Sequence, residues 1–165
     1  MTKAQDEVDR IIQAWSQELP QMDTTPMAVL SRVTRLSRLL DLQRRQAFMD
    51  SGLDTWVFDV LSCLRRAGKP YSMTPGQLMN ELLVSSGTMT NRIDRLVEAG
   101  LVQRSPSPYD RRAVFVTLTE TGKQRVDQAI LDLVEHEREM LAPLSAKQQQ
   151  TLANLLRPLL LQFTE

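Results

Sequence analysis

The chain has 165 residues, 42% of them hydrophobic, and carries 20 basic and 20 acidic side chains. This composition fits one globular domain, and its single cysteine and single histidine exclude a disulfide framework, a Cys/His zinc site and a histidine-based triad within one chain. An acidic N-terminal sequence and the lack of an apolar run of roughly 20 residues predict a cytoplasmic protein that does not enter a membrane.

The charges are unevenly distributed, although they sum to zero. Residues 85–125 carry seven basic and four acidic side chains, whereas residues 126–165 carry three basic and six acidic ones. A positive middle segment followed by a negative tail indicates that the middle segment meets an anionic partner and that the tail has another role.

The first half of the sequence predicts four helices. An amphipathic helix over residues 8–19 ends at Pro20, and longer helices follow over residues 26–49 and 54–66. Thr74-Pro-Gly-Gln77 combines an N-cap threonine, a proline at the first helical position and a glutamine three residues after the cap, so a short helix to about residue 84 is predicted.

A second capped helix follows after a tight polar turn, which is the helix-turn-helix arrangement. Ser85 or Ser86 can cap this helix and Gly100 ends it. Its apolar stripe consists of Met89, Ile93, Leu96 and Val97. At about 100° per residue, the opposite face is polar.

The next segment predicts a β-hairpin, which after a helix-turn-helix indicates a wing. Residues 101–104 indicate a strand, residues 105–108 a turn and residues 113–118 the returning strand. Arg111 and Arg112 lie at the tip, where arginine can enter a minor groove or hold a phosphate, and Asp110 would hold one of them by an ion pair. The alternative for the tip is a turn that uses Pro and Asp for their backbone preferences.

The polar helix face and the wing tip together predict a DNA-binding surface. Asn can bond adenine with two hydrogen bonds, Arg can do the same to guanine, and Thr can contact a thymine methyl group or a phosphate. A solvated helix face is the alternative, but the capped helix before it and the basic hairpin after it favour DNA binding. The predicted contact residues are Ser86, Gly87, Thr88, Thr90, Asn91, Arg95, Asp110, Arg111 and Arg112.

The two C-terminal helices, over residues 121–141 and 145–163, carry more apolar surface than one small domain needs. Together with the N-terminal stripe, they predict a homodimer interface formed from both chain ends. The fold class is therefore mainly α (α+β), a single domain over residues 1–165. Residues 1–50 and 120–165 form its dimerisation lobe, and residues 53–119 form its winged helix-turn-helix lobe.

The segments NRIDRLVEAGLVQR and DRRAVFVTLTETG resemble the MarR family of bacterial transcriptional regulators, whose wing has an Asp-Arg-Arg tip and a Leu-Thr-x-x-Gly strand end. The resemblance covers nearly the whole chain. It implies a dimeric repressor that binds a pseudo-palindromic operator in double-stranded DNA and is released by a small phenolic or other anionic ligand. The N-terminal segment VDRIIQAWSQELPQMDTTPMAVL is similar to the PecS and urate-responsive branch. That branch implies an effector site for an aromatic anion such as urate, formed by Trp15, Asp59, Arg92 and Arg104.

Alternatives remain for these residues and for the function. Trp15 lies in the apolar stripe of its helix and also fits dimer packing, while Asp59 and Arg104 also fit ion pairs within the chain. A winged-helix module that binds protein and a redox-sensing regulator that uses Cys63 are the other functions considered, although a mid-helix cysteine fits an inert core thiol better. No nucleotide-binding or metal-ligand motif supports an enzyme, and no cofactor is predicted.

Overall fold

The computed structural model describes residues 5–50, 52–106 and 114–163, and the chain divides into two compact units, residues 1–46 and 47–165. In the described residues no helix is long and apolar enough to cross a membrane. The first unit contains α1 (Glu7–Glu18) and most of α2 (Thr25–Asp50). The second unit contains α3 (Thr55–Arg66), β1 (Ser72–Met73), α4 (Pro75–Leu82), α5 (Ser86–Glu98), β2 (Val102–Pro106), β3 (Val114–Leu118), α6 (Glu120–Leu141) and α7 (Ala146–Leu161).

In the first unit, ion pairs fix the start of α1 to α2. The side chain of Asp6 accepts a hydrogen bond from the backbone N–H of Asp9, and the Asp9 carboxylate accepts one from the N–H of Asp6, which completes a capping box. Arg32 of α2 donates to both carboxylates, at 2.7 Å to Asp6 and 2.6 Å to Asp9. Arg35 pairs with Glu7 at 3.0 Å. The hydrogen bond from Arg32 lowers the pKa of Asp6 to about 2, because it stabilises the ionised carboxylate.

The core of the second unit is built from α3, α4, α5, the sheet and α6. Phe48 from the end of α2 stacks on Phe58 of α3, with ring centroids 4.3 Å apart. The predicted stripe of α5 is buried at Met89, Ile93 and Leu96, whereas Val97 is 38% exposed. Val97 follows Leu96 by one step of about 100° around the helix axis, which moves it from the core to the edge of the buried face.

The helix-turn-helix follows the predicted capping pattern. Thr74 and Gln77 form the capping box of α4. This helix ends at Leu82, two residues earlier than predicted, because Leu83 adopts a left-handed conformation with φ of 51° that stops the helix. Ser85 is the residue that caps α5: its hydroxyl accepts a hydrogen bond from the N–H of Thr88.

The predicted two-stranded wing is a three-stranded antiparallel sheet with the order β1-β3-β2. The turn expected over residues 105–108 begins later, since Ser105 pairs with Phe115 and Pro106 with Val114. Proline is tolerated there because β2 is an edge strand and Pro106 is its last residue. The strand β1 was missed because two residues are too few to show a periodicity.

The LTETG segment joins the sheet to α6. The hydroxyl of Thr119 caps α6 by accepting from the N–H of Gly122 at 3.0 Å, and it donates to the carbonyl of Gly100 at 2.7 Å. The N–H of Thr119 donates to the carbonyl of Leu101 at 3.1 Å. A Cβ atom on Gly122 would overlap that carbonyl, so glycine alone fits this close approach.

The two C-terminal helices form as predicted, with their ends within two residues of the expected positions. α6 packs against α3 through Val126, Ala129 and Leu133, which are buried. No residue of α7 is buried. Its exposed large apolar side chains are Leu152, Leu155, Leu156, Leu159, Leu160 and Leu161.

Candidate nucleic-acid interface

The polar face of α5 is exposed to solvent, opposite the buried stripe. The residues predicted on it are all exposed: Ser86, Gly87, Thr88, Thr90, Asn91 and Arg95. Two of their hydroxyl groups are already engaged, since Thr88 shares a 2.9 Å hydrogen bond with Ser85 and Thr90 donates to the carbonyl of Ser86 at 3.0 Å. Among the described residues, the side chains of Asn91 and Arg95 make no hydrogen bond, so both keep their donors for a ligand.

The predicted tip of the wing, with Asp110, Arg111 and Arg112, lies outside the described residues. The base of the wing is described, and an ion pair joins it to α5. Arg104 on β2 donates from Nη2 to Oδ1 of Asp94 on α5 at 2.7 Å. The ion pair thus connects α5, the second helix of the helix-turn-helix and hereafter the recognition helix, to the first long strand of the wing.

Trp56 on α3 contacts the recognition helix, and sequence reasoning missed it. The guanidinium carbon of Arg95 lies 4.9 Å from a centroid of its ring system, and that of Arg92 lies at 5.8 Å. Both distances lie within the range of a cation–π contact. The indole N–H donates to Oδ2 of Asp54 at 3.1 Å. No local pattern could reveal these contacts with α5, because they join residues at least 36 positions apart in the sequence.

Two open pockets border Trp56 and Arg95. One, of about 420 Å³, lies on the exposed side of α5 and is also lined by Gly87, Thr88, Asn91 and Arg92. The other, of about 430 Å³, has an apolar floor and a second guanidinium, and its further lining residues are Met49, Gly52, Leu53, Asp54, Val57, Leu96, Ala99, Leu101 and Arg125. The Trp56–Arg95 pair thus faces both the predicted DNA-binding surface and an apolar cleft.

The four residues predicted to hold an effector lie on four different elements. Trp15 is on α1, in the first compact unit, and is 44% exposed. The other three are in the second unit: Asp59 is half-buried on α3, Arg92 is half-buried on the flank of α5, and Arg104 is exposed on β2. Arg92 contacts Trp56 and Arg104 pairs with Asp94, so the two arginines have separate partners. The intrachain ion pair considered for Arg104 is thus present.

Cys63 lies in the core, where its thiol donates to the sulfur of Met73 at 3.7 Å. Burial raises the pKa of the Cys63 thiol, because desolvation disfavours the thiolate. A reactive cysteine needs an accessible thiolate, so this environment argues against the redox-sensing alternative. Across the described ranges, no group of three or more His, Cys, Asp or Glu side chains could hold a metal ion.

Comparison with known proteins identifies the family of this arrangement. The model of the MarR family matches residues 51–113. The HTH-type transcriptional regulator PecS of Dickeya dadantii is 38% identical to the chain over 150 residues, which span 91% of this chain and 90% of that protein. The multiple antibiotic resistance protein MarR of Escherichia coli is 37% identical over 62% of this chain and 70% of its own length.

Solved structures agree with the sequence comparison. A cysteine-to-serine mutant of MarR from E. coli superposes with a TM-score of 0.69 at 28% identity, covering 80% of this chain and 96% of that one. The same mutant complexed with operator DNA superposes with a TM-score of 0.62 at 26% identity, covering 88% and 97% of the two chains. The chain therefore belongs to the MarR family of transcriptional regulators, and the expectation of a DNA-binding regulator rather than an enzyme is confirmed.

Proposed function

We propose that the chain acts as a homodimeric repressor that binds a pseudo-palindromic operator and leaves it when a small aromatic anion binds. The observation that carries the DNA-binding part is the exposed face of α5, where Asn91 and Arg95 keep their donors beside Gly87. Asn and Arg are the side chains that pair bidentately with adenine and guanine in the major groove. A glycine at the start of the helix lets a phosphate approach the backbone closely.

Dimer formation is supported by the apolar side chains that one chain leaves uncovered. α7 exposes six leucines and buries none, and a soluble monomer rarely leaves so much contiguous apolar surface open to water. In a two-fold dimer, two copies of α5 would reach successive major grooves, with half-site centres about 10 bp apart. Two wing tips carrying Arg111 and Arg112 would contact the flanking minor grooves or phosphates.

Selection from a pool of duplexes with a random 30-bp core tests this proposal. We expect an enriched palindrome with half-sites about 10 bp apart, and binding whose log K falls with log salt at a slope near −7 for roughly eight neutralised phosphates. No enriched duplex, or binding to duplex that is independent of salt, would reject the repressor. That result would favour a winged-helix module that binds another protein.

For the effector we propose Trp15, Asp59, Arg92 and Arg104 as the binding residues, on the resemblance to the urate-responsive branch and on their chemistry. A planar anion can stack on an indole, and a guanidinium can pair with its charge in two parallel hydrogen bonds. Arg92 belongs to α5, so a ligand that draws it away moves the DNA-reading helix, which gives the differential contact that a switch needs. A carboxylate at Asp59 would repel the anion and push in the same direction.

Titration of urate and of several phenolic acids, read by tryptophan fluorescence and by release of the selected duplex, tests the effector proposal. Trp15→Phe and Arg92→Ala should each blunt the release while largely preserving DNA affinity in the absence of ligand. If urate has no effect at millimolar concentration and another aromatic acid acts through the same four residues, the site stands and its ligand changes. If no aromatic acid releases the duplex, the effector proposal is wrong.

A further inference from the structure

Trp56 lies at the centre of a chain of contacts that runs from α3 to the polar face of α5. Asp54 occupies the N-cap position of α3, but its side chain makes no capping hydrogen bond to a backbone N–H of the helix. Its carboxylate instead accepts the indole N–H of Trp56 at 3.1 Å. The ring held in this way carries the guanidinium of Arg95 at 4.9 Å and that of Arg92 at 5.8 Å.

We propose that Trp56 is a positioning residue for DNA recognition, whose ring presents the Arg95 guanidinium to a base edge. The inference rests on the proposed function, in which Arg95 contacts DNA. Asp54 acts one step further back by fixing the orientation of the indole.

The contact suits presentation because it is made through the positive charge of the guanidinium and the face of the ring. It takes the place of no hydrogen bond, so the five N–H groups of Arg95 keep their capacity to donate to a base edge. Arg95 makes no ion pair among the described residues, and its contact with Trp56 is the one that restrains its long side chain. Because the Arg95 side chain is already restrained in the free protein, it loses less conformational entropy when DNA binds.

Arg92 contributes to the same arrangement. Both guanidiniums lie against one indole, and like charges so placed repel each other. The ring therefore attracts two cations whose mutual repulsion makes the position of each depend on the other. When Arg92 leaves the ring, the position of Arg95 changes as well, which connects the residue proposed for the effector to the residue proposed for the base contact.

The test measures base discrimination by Trp56→Leu and Arg95→Ala on the selected duplex and on duplexes with single base-pair changes through one half-site. Arg95→Ala should relax the preference at one base pair. Trp56→Leu should weaken binding to the selected duplex about two- to fivefold, as expected for loss of an exposed cation–π contact, and should relax the preference at the same base pair. In the double variant, Trp56→Leu should add nothing at that position.

Conservative variants separate positioning from packing. Trp56→Phe keeps an aromatic face and should restore most of the discrimination, and Asp54→Ala should relax the same base pair more weakly. If Trp56→Leu does not fold, the base discrimination of these two variants is measured instead. Tyr71→Leu, which removes a similar cation–π contact made by Arg65 at 4.7 Å, should leave discrimination unchanged. A merely structural Trp56 would instead weaken binding to every duplex by the same factor.

The outcomes distinguish this inference from the function on which it rests. If the wild-type protein binds no duplex, both fail. If it binds a selected duplex and Trp56→Leu leaves the discrimination intact, or if Arg95→Ala relaxes no base pair, the positioning role alone is overturned. In the Trp15→Phe protein, Trp56 is the sole tryptophan, and its emission should change when the selected duplex binds. This change on binding should be absent when Arg95 is also replaced by alanine. An unchanged emission on binding would also count against the role.

Discussion

Arg104 on β2 and Asp94 on α5 form an ion pair of 2.7 Å that joins the first long strand of the wing to the recognition helix. Both side chains are about half exposed, so the pair adds little to the stability of the fold. Its importance is geometric, because a change in the partner of Arg104 alters a contact between the two elements proposed to touch DNA. An anionic effector that binds Arg104 must compete with Asp94 for the same guanidinium.

Replacement of Asp94 by asparagine should therefore increase the sensitivity to the effector. Without the competing carboxylate, the aromatic anion that releases the duplex should bind about two- to fivefold more tightly, while thermal stability changes little. Calorimetric titration of the ligand measures the first effect and a melting curve the second. Glu98→Gln removes one negative charge from the same helix without touching Arg104 and serves as the control. Weaker binding in the Asp94 variant would exclude competition.

Asn91→Ala should cost roughly 1 to 3 kcal/mol of binding free energy and relax the preference at one base pair, because its amide has donors and an acceptor for a base edge. The side chain is exposed, so the melting temperature should stay the same. Arg112→Ala should instead weaken binding to all duplexes alike and reduce the salt slope by about one, if it holds a phosphate. Anisotropy titrations at several salt concentrations measure both. Unchanged binding in both variants would mean that DNA contacts a different surface.

The dimer prediction depends on the apolar face of α7. Leu156→Asp places a charge in the expected interface and should shift the protein from dimer to monomer in sedimentation at micromolar concentration, with a loss of DNA binding. Asn154→Asp is the matched control, since it introduces the same charge on the same helix, at a residue whose side chain already bonds to Gln150 and Arg157. A monomeric wild-type protein, or an equal effect of both changes, would contradict the interface.

Local sequence chemistry predicted most of the helices because their signals lie within each element. The capping pair Thr74–Gln77, a cap at Ser85 or Ser86 and the apolar stripe that begins at Met89 all act over a few residues. The structure shows the capping pair, selects Ser85 as the cap and buries the stripe except for Val97. The strand β1 escaped because its two residues are defined by pairing with Thr117 and Val116, about 45 positions away. The extension of β2 to Pro106 was missed because proline is tolerated at the end of an edge strand, and the sequence does not show which strand lies at the edge.

The same distinction between local signals and tertiary contacts holds for the candidate site. The outward face of α5 could be read from helical periodicity, because the buried stripe fixes the opposite side. The partners of its side chains could not, since Trp56 reaches Arg95 only after α3 packs with α5. The ion pair between Asp94 and Arg104 likewise forms only because the fold brings β2 beside α5. Pairings of this kind come from tertiary structure, and a single sequence contains no periodic signal for them.

The junction at Thr119 should be sensitive to small changes. Gly122→Ala would force a methyl group into the carbonyl of Leu101, so we expect a loss of several kcal/mol in unfolding free energy or a failure to fold. Thr119→Ala removes the cap of α6 and the bond to Gly100, at a cost of about 1 to 2 kcal/mol. Thr119→Ser keeps both hydrogen bonds and is the control. Urea unfolding measures all three, and a wild-type stability for Gly122→Ala would contradict this packing.

The attachment of α1 to α2 should weaken in acid, because protonation of Asp6 removes the charge that pairs with Arg32. Arg32 depresses the pKa of this carboxyl from 3.8 to about 2 in the folded chain, so its contribution to stability is complete above the unfolded value and is lost as the pH falls through about 2. In a Trp56→Phe protein, Trp15 is the sole tryptophan and its emission reports on α1. Urea unfolding followed by this signal should show stability falling between about pH 4 and pH 2. Asp6→Asn keeps a good N-cap but removes the charge, so the fall should be shallower in that variant. Glu18→Gln, at the other end of α1, should keep the full fall, and an unaltered profile in Asp6→Asn would show that Arg32 does not fix the helix through this carboxylate.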